Sequence, residues 1–102
     1  MSVRPWPMRP PQLATTSAGY AFSQGRRDGT TGRDEMLVHC KVIVDATPLP
    51  VNADLENCFG HEPSVVAETI RRAGAVGLAG ASVEDASGDP AKPIYDFNHA
   101  VE

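Results

Sequence analysis

The sequence predicts an α/β fold built on parallel strands. Three short segments rich in small apolar or β-branched residues alternate with segments whose apolar residues recur at helical spacing. Such alternation is typical of parallel strands that are joined by right-handed helical crossovers. The chain has 102 residues, which allows one small domain and excludes two.

The first strand is expected at residues 13–17, where LATTS contains two β-branched threonines. It runs into Ala18 and Gly19, which indicate a turn. The stretch from Tyr20 to Gly32 holds glycines, polar residues and arginines, and we expect a long, mobile connection there. Residues 1–12 contain four prolines and are expected to form a disordered leader, because proline removes a backbone donor and fixes φ.

Two further strands and three helices are predicted downstream. An amphipathic helix is expected over residues 34–46 and ends before a Thr-Pro pair, and a short strand follows at residues 50–55. Proline suits the first turn of the next helix, at residues 63–73, which two glycines close. The third strand is expected at residues 79–83, and a last helix is expected to begin at residue 94.

Acidic residues follow the second and third predicted strands. Asp54 and Glu56 are one residue apart, so strand pleating would put both side chains on the same side, and Glu84 ends the next strand. The carboxyl ends of parallel strands are where α/β folds bind ligands. Carboxylate oxygens without a nearby His or Cys favour a hard cation, Mg²⁺ or alternatively Mn²⁺. The simpler alternative is that these are solvent-facing loop acids in an acidic chain, whose net charge is -4.

The charge is divided unevenly along the chain. Residues 1–33 contain five arginines and one aspartate, and the rest of the chain is strongly acidic. Arginines without interleaved aromatic residues are a weak signal for nucleic acid, so we expect no nucleic-acid partner, although a small binding module that uses the basic leader is an alternative. No apolar run approaches the roughly 20 residues that cross a bilayer, so we expect no membrane partner. Two cysteines are too few for a disulfide framework, which favours a cytoplasmic location.

A zinc site is a further alternative. Cys58 and His61 have ligand spacing, and His39 and Cys40 could complete the set. Adjacent residues on a helix point about 100° apart, however, so His39 and Cys40 would not both face one metal.

Three separated motifs resemble, in order and spacing, the isocitrate lyase and phosphoenolpyruvate mutase family: ATTSAGYAFSQGRRDG, PVNADLENCFG and VEDASGDPAKPIYDF. The resemblance covers residues 13–102 and implies a partial (β/α)₈ TIM barrel, from the second strand to the start of the fourth helix. It implies a Mg²⁺-dependent carbon–carbon lyase or phosphoenolpyruvate mutase that acts on a 2-oxo or 2-hydroxy carboxylic acid through an enolpyruvate-like intermediate. The alternative is a non-catalytic remnant, or a fragment that depends on a partner.

The resemblance also implies roles for individual residues and for assembly. Full-length relatives are homo-oligomers, and the expected ligand is a small carboxylic acid. The implied catalytic residues are Asp28, Asp54 and Glu84, the implied Mg²⁺ ligands are Asp54, Glu56 and Glu84, and the implied turn whose backbone amides hold the substrate carboxylate is Ser17, Ala18 and Gly19.

The sequence departs from the family at several positions. True isocitrate lyases carry a catalytic cysteine in a region that reads DASGDPAKPIYD here, so the chain resembles the mutase-like or oxaloacetate-type branch more closely. Cys58 stands where relatives usually have glycine, which predicts a strained backbone, and His61 replaces a usual acid. A nucleophilic role for Cys58 would need a lowered pKa that no neighbour clearly supplies. Because a (β/α)₈ barrel takes at least about 200 residues, a truncated barrel is expected.

Overall fold

The computed structural model describes residues 11–27 and 29–102, and it contains a three-stranded parallel sheet with helices. The sheet order is β1-β2-β3, with Leu13 opposite Val51 and Asn52 opposite Gly80. The predicted α/β class with parallel strands is therefore confirmed. The strands are β1 (Leu13–Thr16), β2 (Val51–Asp54) and β3 (Gly80–Ser82).

Four helices accompany the sheet in the described residues, one more than predicted. They are α1 (Ser17–Ser23), α2 (Arg33–Ala46), α3 (Pro63–Ala75) and α4 (Phe97–Ala100).

The prediction of a long connection from Tyr20 to Gly32 is wrong at its start, because helix α1 continues as far as Ser23. Thr16 starts this helix: its Oγ1 accepts a hydrogen bond from the Gly19 amide at 2.7 Å. A Cβ at position 19 would lie 2.8 Å from that oxygen, so glycine is the residue that fits beneath the cap. The helix that was expected to begin at residue 94 also needs correction, since α4 begins only at Phe97.

The segment before α4 pairs with the chain that leaves β3. Ile94 forms an antiparallel bridge with Ala86, and the Tyr95 amide donates to the Asp85 carbonyl at 2.9 Å. Asp96 then caps α4 by accepting from the His99 amide at 3.0 Å. Residues 94 and 95 are therefore extended, and the helix begins only after Asp96, whose side chain caps it.

The core lies between β2 and the two long helices. Val51 and Ala53 of the strand and Leu55 directly after it are buried, while Asn52 and Asp54 lie on the opposite face. One face of β2 is therefore packed, whereas most residues of β1 and β3 are exposed. The core cluster consists of Met36, Leu37, Cys40, Ala53, Leu55, Cys58 and Ala73.

Most of the expected leader lies outside the described residues. Within them, Gln12 accepts a hydrogen bond from the Asn52 side-chain amide at 2.7 Å, which connects residue 12 to the sheet. Across residues 11–27 and 29–102, no helix has the length and apolar character to cross a bilayer.

Candidate functional site

The loop after β2 holds three residues in the left-handed backbone region. The φ angles of Glu56, Cys58 and Phe59 are 56°, 63° and 65°. Non-glycine residues rarely adopt such angles, which cost about 1–3 kcal/mol each and persist only where surrounding contacts fix them. The predicted backbone strain at Cys58 is confirmed.

Short polar contacts hold this loop in place. Asp54 Oδ1 accepts from the Glu56 amide at 3.0 Å, and Asn57 Oδ1 accepts from the amide two residues further on at 3.1 Å. The fully buried Thr69 hydroxyl donates to the Cys58 carbonyl at 2.8 Å from α3. The loop is thus fixed from both the strand and the helix that flank it.

The two predicted glutamates lie at the same cavity. Glu56 and Glu84 line an open cavity of about 930 Å³ at the carboxyl ends of β2 and β3. The Glu84 amide donates to the Glu56 carbonyl at 2.8 Å, so the two strand ends are joined directly. The strand alternation on which the expectation for Glu56 rested ends before it, because Glu56 has a positive φ and follows β2. Asp54 is half-buried beside this loop.

The chemistry of this acid set suits Mg²⁺, which keeps several waters and is usually held by one or two carboxylates. Glu56 and Glu84 supply such a pair of oxygen donors at one cavity. Among the described residues, no three His, Cys, Asp or Glu side chains are grouped closely enough to hold an ion. The pair Glu56 and Glu84 could thus supply one or two ligands, and water would have to fill the remaining positions around an ion.

The predicted substrate turn lies at the start of α1. Ser17 is fully buried, and its hydroxyl donates to the Asp54 carbonyl at 2.8 Å, which fastens α1 to the end of β2. The Gly19 amide is engaged by the Thr16 cap, and Ala18 lies between them, half-buried. Carboxylate binding by these residues stays a prediction. Asp28 lies outside the described residues, so its catalytic role stays a prediction too.

Ion pairs neutralise two other acids at the cavity. Arg26 holds Glu35 at 2.6 Å, and this hydrogen bond lowers the pKa of the Glu35 carboxyl. Arg72 reaches Asp34 at 3.0 Å from α3. Both acids line the cavity, and both have an arginine partner at short distance.

Arg33 also lines this cavity, and the sequence reasoning missed it. Its side chain is 25% exposed, and its contacts are long: 3.5 Å to the Thr69 hydroxyl and 3.9 Å to Asp34. The sequence predicted this helix to begin at residue 34, so only the structure shows that an arginine stands at its first position, where it opposes the helix dipole.

Tyr95 is a second residue that the sequence reasoning missed. Its hydroxyl accepts from the Asn57 side-chain amide at 3.1 Å and lies 2.6 Å from His61 Nδ1. These contacts fasten the segment after β3 to the loop after β2. The available signal was an aromatic residue with a polar hydroxyl in the segment PIYDF, which follows the third predicted strand.

The cysteines do not take part in this site. Cys40 and Cys58 are fully buried free thiols. Burial raises the pKa of Cys40 to about 11 and also raises the pKa of Cys58. A nucleophilic Cys58 finds no support, and the described residues provide no zinc site that contains these cysteines.

Most of the chain matches one known protein family. The profile of the family described as phosphoenolpyruvate phosphomutase matches residues 9–102. No curated protein matches the chain.

Solved structures match with high structural similarity. A candidate lyase/mutase from Burkholderia cenocepacia J2315 is 53% identical, with a TM-score of 0.85 over 88% of this chain and 33% of that chain. A candidate phosphonomutase from the same organism is 36% identical, with a TM-score of 0.77 over 87% of this chain and 36% of that chain. A 2,3-dimethylmalate lyase, a member of the phosphoenolpyruvate mutase/isocitrate lyase superfamily, is 30% identical, with a TM-score of 0.78 over 88% of this chain and 32% of that chain. These relatives belong to a superfamily of TIM barrels, and the chain spans about a third of their length.

Proposed function

The chain belongs to the phosphoenolpyruvate phosphomutase family, and on this premise we propose that it provides part of a lyase or mutase site for a 2-oxo or 2-hydroxy carboxylic acid. The reaction would break or move a bond next to the acid group through an enolpyruvate-like intermediate. The expected partner is a small carboxylic acid.

One observation carries this proposal. Glu56 and Glu84 line a single cavity at the carboxyl ends of neighbouring parallel strands, and a hydrogen bond from the Glu84 amide to the Glu56 carbonyl holds the two backbones together. Ligand sites of α/β folds lie at this end of the strands. The strained loop that presents Glu56 supports the same conclusion, because backbone strain is concentrated at functional sites.

We assign the Mg²⁺ shell to Asp54, Glu56 and Glu84, with contacts through water allowed. When bound, the ion stabilises the negative charge that develops on an enolate oxygen. Asp54 has a second task, since its Oδ1 holds the Glu56 amide and thereby fixes the turn. Asp28 is proposed as a further catalytic acid, and the turn of Ser17, Ala18 and Gly19 as the carboxylate-binding segment.

Mn²⁺ titration of the chain, followed by electron paramagnetic resonance, tests the metal assignment. Mn²⁺ replaces Mg²⁺ at oxygen-rich sites and can be observed directly. We expect Glu56→Gln and Glu84→Gln each to weaken binding at least about tenfold, because each removes one charged ligand. Glu62→Gln is the matched control, since Glu62 is an exposed acid that does not line the cavity.

Asp54→Asn separates the two tasks of Asp54. The asparagine keeps the oxygen that accepts from the Glu56 amide but loses the charge, so weaker Mn²⁺ binding in a folded variant would support a ligand role. Equal Mn²⁺ affinity in the wild type and in all the variants would remove the metal assignment.

The second candidate is a partner-dependent role without turnover by the chain itself. It is favoured by one observation, that large apolar side chains such as Phe22 and Phe97 are exposed in the part of the chain that the structure describes. This role predicts Mn²⁺ binding without consumption of a 2-hydroxy dicarboxylic acid. Release of a 2-oxo acid from such a substrate, abolished by Glu84→Gln, would favour the enzymatic role instead.

A further inference from the structure

We propose that Tyr95 is a positioning residue for the proposed metal site, and that it acts through Asn57 on the loop that carries Glu56. The inference rests on the proposed function and adds to it a residue that does not line the cavity of Glu56 and Glu84. Tyr95 therefore influences a bound ion only through other residues.

The side chain of Tyr95 is bonded to the segment that follows Glu56. Its hydroxyl accepts from the side-chain amide of Asn57, the residue next to Glu56, at 3.1 Å. The same hydroxyl lies 2.6 Å from His61 Nδ1 and 3.5 Å from the Gly60 carbonyl oxygen. A hydroxyl can accept one hydrogen bond while it donates another, so a single oxygen contacts three residues of this loop.

The backbone of Tyr95 is bonded to the segment that follows Glu84. The Tyr95 amide donates to the carbonyl of Asp85, the residue next to Glu84, at 2.9 Å. The residue before Tyr95 forms an antiparallel bridge with Ala86, which holds the same segment. Tyr95 thus connects the neighbour of Glu84 through its main chain with the neighbour of Glu56 through its side chain.

Asn57 transmits this connection to the loop. Its Oδ1 accepts from the Phe59 amide at 3.1 Å while its Nδ2 donates to Tyr95, so both ends of the side-chain amide are engaged. Asn57 also lies between Glu56 and Cys58, which both have a positive φ. Because such a backbone persists only where contacts hold it, loss of the Tyr95 bond should let Glu56 change position.

The charges at the cavity give this connection a purpose. Glu56 and Glu84 line the same cavity, and two carboxylates repel each other until a cation binds. The bonds of Tyr95 oppose that repulsion, because they join the residues next to both acids. Hydrogen bonds that orient metal ligands in this way raise the affinity for the ion.

The test is Mn²⁺ titration of the full chain and of Tyr95→Phe, followed by electron paramagnetic resonance. The variant loses the hydroxyl and keeps the ring, whose centroid lies 5.6 Å from that of His61 and 4.7 Å from that of His99. We expect the Mn²⁺ affinity to fall about tenfold, as when a group that orients metal ligands is lost. The lineshape of the remaining bound Mn²⁺ should also change, because the ligands are rearranged.

Tyr20→Phe is the matched control. Its hydroxyl donates to Glu35 at 3.2 Å, and Tyr20 does not line the cavity. Arg26 still holds Glu35 at 2.6 Å after the change. This variant should bind Mn²⁺ as the wild type does, with the same lineshape.

A double-mutant cycle tests the route through Asn57. The variants are Tyr95→Phe, Asn57→Ala and the two changes together. If Tyr95 acts through Asn57, the double variant should bind Mn²⁺ as weakly as Asn57→Ala alone, because the second change removes a bond that is already lost.

Amide hydrogen exchange of the metal-free chain distinguishes a local effect from a loss of stability. Residues 56–60 should exchange faster in Tyr95→Phe, whereas exchange in α2 should match the wild type. This measurement does not depend on the ion.

The contrary results are distinct. An unchanged Mn²⁺ affinity in Tyr95→Phe, or losses that add in the double variant, would overturn the inference and leave the proposed function standing. Faster exchange throughout the chain would assign the weaker binding to general destabilisation and overturn it as well. If the wild type binds no Mn²⁺, the proposed metal site fails and this inference fails with it.

Discussion

Cys58 combines a left-handed backbone with complete burial. Its φ is 63° and its exposure is 0%. Cys40, by contrast, is equally buried within the regular helix α2. The two cysteines therefore form a matched pair that separates the cost of backbone conformation from the cost of core packing.

We predict that Cys58→Val destabilises the chain more than Cys40→Val does. Both changes add similar volume, but a β-branched residue is a genuine outlier at positive φ and is tolerated in a helix. The free energy of unfolding should fall by about 1–2 kcal/mol more in Cys58→Val than in Cys40→Val. Urea unfolding measures both losses, with sucrose in every sample to stabilise the folded state. Equal losses would show that backbone strain does not govern position 58.

The same burial makes both thiols unreactive. With a pKa of about 11, Cys40 has about a hundredfold smaller thiolate fraction at pH 8 than a cysteine at the ordinary value of 9.0. We predict that iodoacetamide labels Cys40 in the folded chain at least about a hundred times more slowly than in the chain in concentrated urea, and that Cys58 is also labelled more slowly, as followed by mass spectrometry. Rapid labelling of Cys58 in the folded chain would restore a nucleophilic role.

Single side chains also decide where whole elements begin. Thr16 ends β1 and starts α1, and the Ser17 hydroxyl fixes the first turn of α1 to the end of β2. The position of this short helix therefore depends on one cap and one buried hydroxyl.

Removing the cap is predicted to loosen α1. Thr16→Ala leaves the Gly19 amide without its acceptor, and loss of an N-cap costs about 1 kcal/mol. Faster amide hydrogen exchange in Ser17–Ser23 would report the change locally. Ser64→Ala is the control, because Ser64 is an exposed residue of α3, and its exchange pattern should match the wild type.

Helix α3 carries a charge network that gives the chain a pH-dependent stability. Glu68 accepts hydrogen bonds from Arg71 and Arg72, which lower the pKa of Glu68 to about 2 from 4.5. Arg72 also reaches Asp34, so the network connects α3 to α2. A carboxyl whose folded pKa is lowered adds stability above its unfolded pKa and loses it as the pH falls through the folded value.

We therefore predict that Glu68→Gln lowers the Tm slightly at pH 7, and that the difference disappears between pH 4.5 and pH 2. Because Arg71 is exposed and Glu68 and Arg72 are partly exposed, 1 M salt should reduce the difference at pH 7 as well. Differential scanning calorimetry across this pH range measures both effects. A difference that persists at the lowest pH would assign it to helix packing instead.

Across the whole molecule, the sheet has two outer strands among the described residues. In a closed barrel every strand has two neighbours, whereas β1 and β3 here each pair with β2 alone among the described residues. Large apolar side chains are also exposed, among them Phe22 at 82% and Phe97 at 78%. Such edges and patches favour association between chains.

We predict concentration-dependent self-association through the outer edge of β1, with which no strand of the described residues pairs. The Leu13 amide donates to the Pro50 carbonyl, so alternation along the strand directs the Ala14 amide away from β2. Ala14→Pro should therefore leave the β1–β2 pairing intact and reduce association, measured by sedimentation velocity over about a hundredfold concentration range. Unchanged association in Ala14→Pro would exclude this edge.

The sequence by itself determined the α/β class, the order of the three strands along the chain and the family. These follow from periodicity and from motifs that neighbouring residues carry. It also selected Glu56 and Glu84, because acids that follow parallel strands meet at one edge of the sheet.

Only the tertiary structure decided the rest. Helix α1 was missed because Thr16 serves both as a strand residue and as a cap, and its role depends on where the chain turns over β2. Arg33 was missed because its significance lies in the distant residues beside it: Asp34 is already paired with Arg72, across a separation of 38 positions in the sequence. Local sequence fixes which residues can form an element, whereas packing between distant segments fixes which charges and hydrogen-bond donors remain available to a ligand.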